Sequence, residues 1–85
     1  MKTYQYLQGS GHGWLEVPMT EIKNLGLTQK ISAYSYRKGD SAFLEEDCDM
    51  SLFIKAMNAT GQEFNFNEVH TNYDSQVRNY SRFYP

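Results

Sequence analysis

The sequence predicts a small α+β domain, residues 1–85, with a mostly antiparallel sheet of about five to six strands and two short helices on one face. Three observations carry this expectation. Short stretches of alternating polar and apolar residues come in pairs, each pair divided by turn residues. Two further stretches place apolar residues at helical spacing. A glycine follows each of those two stretches, where a helix tends to stop.

The elements follow in the order ββαββαβ. "TYQYL" alternates over residues 3–7, "GSGHG" supplies turn chemistry, and "WLEV" resumes the alternation, so residues 3–17 read as a hairpin with an irregular loop. Pro18 presets a φ suited to a first helical turn. Met19, Ile22 and Leu25 then recur at spacing three before Gly26, which predicts a helix over residues 18–25. "ISAYSYR" and "SAFLEE" bracket Lys38, Gly39 and Asp40 as a second hairpin. Met50, Phe53, Ile54 and Met57 give one face of a second helix that Gly61 ends. "QEFNFNEV" sets Phe64 and Phe66 against Glu63, Asn65 and Asn67, which is a strand pattern. "VRNYSRFY" alternates Arg78, Tyr80, Arg82 and Tyr84 and is either a last strand or irregular. With both helices on one face, the other sheet face is expected to be solvated or open to a partner.

Composition narrows the function classes without selecting one. A chain of 85 residues buries only about 60–65% of its unfolded surface, so its core is thin. Aromatic residues make up 15% of it, and they serve a thin core and a contact surface equally well. A symmetric dimer would also enlarge so thin a core, and a homodimer is one expected form. The net charge of −2 gives no general attraction to nucleic acid or to a membrane surface. Cys48 is the only cysteine, so an intrachain disulfide is impossible and a reducing compartment is the simpler setting. "MKTYQYLQGSG" lacks the apolar centre of a signal peptide, and no apolar run approaches the ~20 residues of a membrane span, so a cytoplasmic location is expected.

Four carboxylates stand in five positions in "FLEEDCDMSLF": Glu45, Glu46, Asp47 and Asp49, with Cys48 among them. The local explanation is the start of the second helix, where Asp47 or Asp49 can cap backbone N–H groups and carboxylates favour the helix dipole. Capping uses one or two of the four. The surplus marks an acidic edge suited to a basic partner surface. No glycine interrupts residues 41–60, and Cys48, His12 and His70 are too few for zinc, so neither a calcium loop nor a metal or cofactor site is expected. Cys48 at a helix start could be a nucleophile, but the surrounding carboxylates discourage its thiolate, and a lone cysteine is more often a small core residue. The tail offers the opposite chemistry. Arg78, Tyr80, Arg82 and Tyr84 interleave cations and rings as single-strand binders do, although two arginines are few and could instead pair with the 45–49 carboxylates.

The strings "GHGWLEVP", "ISAYSYRKGDSAFLEEDCD" and "VRNY", spanning residues 12 to about 80, resemble small proteins of phages, plasmids and other bacterial mobile elements. That resemblance carries over no catalytic residue. It implies a context in which short accessory proteins bind and block a host protein or nucleoprotein complex, as anti-CRISPR and anti-restriction proteins do. The expected function is therefore a non-enzymatic interaction module contacting its partner through Tyr34, Tyr36, Glu45, Glu46, Asp47 and Asp49. The alternatives are a nucleic-acid-binding accessory protein using Arg78, Tyr80, Arg82 and Tyr84, and a small thiol- or metal-dependent enzyme around Cys48 and His70.

Overall fold

The computed structural model describes residues 2–9, 11–70, 77 and 80–83. Its elements run β1 (Lys2–Gln8), β2 (Gly13–Pro18), α1 (Met19–Asn24), β3 (Tyr36–Lys38), β4 (Ser41–Glu45), α2 (Met50–Thr60), β5 (Phe64–His70) and β6 (Ser81–Arg82). The six strands form one mixed sheet in the order β5-β1-β2-β4-β3-β6. All neighbours are antiparallel except β1 and β5, which run parallel with Lys2 beside Phe64 and Gln8 beside His70. The α+β class, the strand number and the two helices are those expected from the sequence.

Both helices lie on one face because the alternation of β1, β2 and β4 delivers one apolar row there. Tyr4, Tyr6, Leu15, Val17, Ala42 and Leu44 pack under Met19 and Ile22 of α1 and Phe53 and Met57 of α2. The Tyr4 ring meets Phe53 edge-on at 5.1 Å between centroids. Its hydroxyl donates to Glu21 Oε1 at 2.7 Å, and Lys2 reaches the same oxygen at 2.5 Å, pinning α1 to the strand beneath it. Pro18 closes β2 rather than opening the helix: its ψ of 139° is extended, and the turn begins one residue later. Gly61 takes the left-handed conformation at φ 77° and ends α2, which few other residues could do without strain.

The second hairpin is shorter than its sequence pattern. Only Tyr36–Lys38 pairs with β4, and residues 31–35 form an irregular hook. Asp49 is the cause. Its carboxylate accepts hydrogen bonds from Ser32 N at 3.1 Å, Ser32 Oγ at 2.7 Å and Ser35 Oγ at 2.5 Å. Those bonds divert the chain from the sheet until Tyr36.

The face opposite the helices is not uniformly open, contrary to the expectation. Leu7, Trp14, Tyr36 and Phe43 form a second apolar cluster there with Val77, and Val69 and Tyr80 pack against it. The Tyr80 ring lies 4.9 Å from that of Phe43, and Lys38 Nζ sits over the Tyr80 ring at 4.9 Å. Val77 and Tyr80 thus cover part of this face.

Candidate functional site: an acidic groove with aromatic walls

On the face opposite the helices lies a groove of about 340 Å³ lined by His12, Trp14, Tyr34, Tyr36, Glu45, Asp47, Cys48 and Arg82. Strand register explains the convergence. Trp14 on β2 stands beside Glu45 on β4, and Tyr36 on β3 stands beside Arg82 on β6, all on the face away from the helices. The hook over residues 31–35 brings Tyr34 to the rim, and the turn after β4 brings Asp47 and Cys48.

The walls are rings in contact with one another. Trp14 is 2% exposed, stacks on His12 at 5.8 Å and meets Tyr36 edge-on at 6.5 Å. Its Nε1 is buried without a hydrogen-bond partner among the described residues. Tyr36 is 7% exposed within the same apolar cluster, and the Arg82 guanidinium lies over its ring at 4.9 Å. Tyr34, by contrast, is 66% exposed.

The four carboxylates expected to form one edge are dealt to three different places. Glu45 and Asp47 face the groove. Glu45 Oε2 accepts the Asp47 backbone N–H at 2.8 Å, and its Oε1 lies 3.9 Å from His12 Nδ1. Among the described residues neither Glu45 nor Asp47 pairs with a lysine or arginine. Glu46 turns the other way and accepts the Tyr6 hydroxyl hydrogen. Asp49 is 4% exposed and spends its oxygens on Ser32 and Ser35, so it offers nothing to a partner. It occupies the N-cap position of α2, but its side chain caps nothing there. Serine donors from another part of the chain outcompete the local helix N–H groups.

Cys48 is exposed rather than buried in the core, which corrects the sequence expectation. Partial desolvation pushes its thiol up, followed by the charge and hydrogen bond of Glu45 and the charges of Asp49 and Asp47. A thiol so placed stays protonated at neutral pH and is a poor nucleophile. His70 stands at the end of edge strand β5 with Glu68 at 3.4 Å, and it does not line the groove. No group of three or more His, Cys, Asp or Glu could hold a metal ion among the described residues.

The rival basic tail is broken up as well. Arg82 and Tyr80 are engaged in the fold, on Tyr36 and on Phe43, so neither projects as part of a free stacking ladder. Arg82 donates to the Ala33 carbonyl at 3.1 Å instead of pairing with the 45–49 carboxylates. Arg78 and Tyr84 lie outside the described residues. The sequence lets the tail arginines pair with the 45–49 carboxylates, and the fold does place Arg82 in one groove with Glu45 and Asp47, but without an ion pair to either. In the sequence His12 and Trp14 are turn and strand residues with no visible link to Glu45. Only the pairing of β2 with β4 reveals that they share a wall with Glu45.

No helix among the described residues is long and apolar enough to cross a membrane. No family model, curated protein or solved structure matches the chain.

Proposed function

We propose that the protein is a non-enzymatic interaction module that docks a basic protein surface on the groove lined by Tyr34, Tyr36, Glu45 and Asp47. The observation that supports this reading is the pair of carboxylates, Glu45 and Asp47, left without a lysine or arginine partner among the described residues, beside an exposed tyrosine and buried aromatic walls. Interfaces draw affinity from aromatic anchors and gain specificity from complementary charge around them. Asp49 and Glu46 have no part in the surface, since each is bonded elsewhere. The resemblance to mobile-element proteins extends the proposal to an inhibitor of a bacterial defence complex, of the anti-CRISPR or anti-restriction type, acting in the cytoplasm. That extension rests on the resemblance alone.

The test is capture of bacterial proteins by a tagged chain and by its Glu45→Lys, Asp47→Lys double variant, with circular dichroism to verify that both are folded. Loss of a captured protein from the folded variant supports the proposal. Capture that survives both reversals overturns it. Release of the captured material by nuclease would favour the nucleic-acid reading instead.

A further inference from the structure

We infer that the groove recognises an arginine side chain of the partner and that Arg82 is its internal occupant, seated where the partner's guanidinium will lie. The inference rests on the proposed docking function and names the group that the groove accepts.

The first observation is that the structure already holds a guanidinium against a groove wall. Arg82 lies 4.9 Å above the Tyr36 ring, and that ring is braced edge-on by Trp14. A guanidinium is planar and weakly hydrated, so it stacks on such a face where an ammonium is bound as a point charge. The second observation is that the seat is only partly used. Of the five N–H donors a guanidinium carries, Arg82 commits one among the described residues, to the Ala33 carbonyl at 3.1 Å. Its residue is exposed and belongs to a two-residue edge strand, so little of the fold depends on it.

The third observation is the charge left over. Glu45 and Asp47 line the same groove, and neither forms an ion pair with Arg82. Asp47 has no hydrogen bond to its carboxylate among the described residues, whereas Glu45 already accepts the Asp47 backbone N–H, is hydrogen-bonded with Cys48 and lies 3.9 Å from His12. An arginine arriving from outside can therefore have both the ring and the Asp47 carboxylate, whereas Arg82 has the ring and one backbone carbonyl. Displacement of Arg82 is favourable for that reason. A phosphate or other anion meets the opposite balance of charge and is excluded.

The chain contains a single tryptophan, and it stands in the groove wall, which supplies the readout. Short capped peptides differing only in one central arginine, lysine or citrulline are titrated against the intact chain, following Trp14 fluorescence and the amide and indole NMR signals. The arginine peptide is expected to saturate, the lysine peptide to bind about tenfold more weakly, and the neutral citrulline peptide not to bind. Arg82→Ala should tighten the arginine peptide about three- to tenfold, because the competitor is gone. Glu45→Gln with Asp47→Asn should abolish the response. Equal binding of lysine and arginine, or an Arg82→Ala variant that binds no better, overturns the arginine site while leaving the acidic docking surface standing. Absence of response to either cationic peptide overturns this inference, and the charge-reversal capture then decides the docking surface separately.

Discussion

Asp49 accepts the Ser35 hydroxyl at 2.5 Å, and that one contact decides how the acidic run of this protein is to be understood. Ser35 in turn accepts the Glu45 backbone N–H at 3.0 Å, so the hook over residues 31–35 is tied to both ends of the turn between β4 and α2. Phe83 adds to the same knot by donating its N–H to the Ser35 carbonyl at 2.9 Å. Asp49 thereby builds the frame that holds Tyr34 and Tyr36 opposite Glu45 and Asp47, without itself touching the groove.

Asp49→Ala should therefore act on stability and on the site together. It leaves the Ser32 and Ser35 hydroxyls and the Ser32 N–H without their acceptor in a largely buried setting. An expected loss of about 2–4 kcal/mol follows from the cost of unsatisfied buried donors. Urea unfolding of the variant measures it. A loss below about 0.5 kcal/mol, the size of an ordinary surface substitution, would show that the knot contributes little.

Gly13 is needed for a reason unconnected with backbone freedom. The Tyr6 ring crosses directly over its Cα to deliver the hydroxyl to Glu46, so a Cβ at residue 13 would overlap the ring. Gly13→Ala must displace a buried tyrosine or shift β2 against β1, and overpacking of this kind costs about 1–3 kcal/mol. In a Tyr6→Leu background the obstruction is gone, and the same Gly13→Ala change should cost much less. Equal costs in the two backgrounds, measured by thermal unfolding, would falsify this assignment.

Two tyrosines couple the fold to alkaline pH. Tyr4 donates to Glu21 and Tyr6 to Glu46, and burial first, then those hydrogen bonds and charges, raises both phenols above their ordinary value near 10. The folded chain keeps these protons when the unfolded chain gives them up. Their stabilisation is thus full below the ordinary tyrosine value and is lost as pH rises beyond it. Melting temperature should fall between about pH 10 and pH 12, and the fall should be shallower in a Tyr4→Phe, Tyr6→Phe double variant. Parallel curves for the two proteins would assign the alkaline loss to other groups.

Periodicity in the sequence determined most of the elements and little of the site. Alternation in "TYQYL", "WLEV" and "SAFLEE" decides which side chains face the helices, because a strand has only two faces and one is paved with apolar residues. Gly26 and Gly61 marked helix ends because the left-handed turn there excludes most other side chains. Such signals are local, and a local signal is complete in the string that carries it.

What only the tertiary structure decided is the fate of each polar group. "EEDCD" reads as one acidic edge, yet Glu46 goes to Tyr6, Asp49 goes to Ser32 and Ser35, and Glu45 and Asp47 alone remain at the groove. Arg82 lies more than thirty residues from this run, and it reaches the groove only because β6 pairs with β3 beside Tyr36. A carboxylate or guanidinium takes whichever partners the folded chain brings within about 3 Å, and those partners are distant in sequence. Hydrophobic pattern is thus written along the chain, while hydrogen bonding and charge pairing are settled across it.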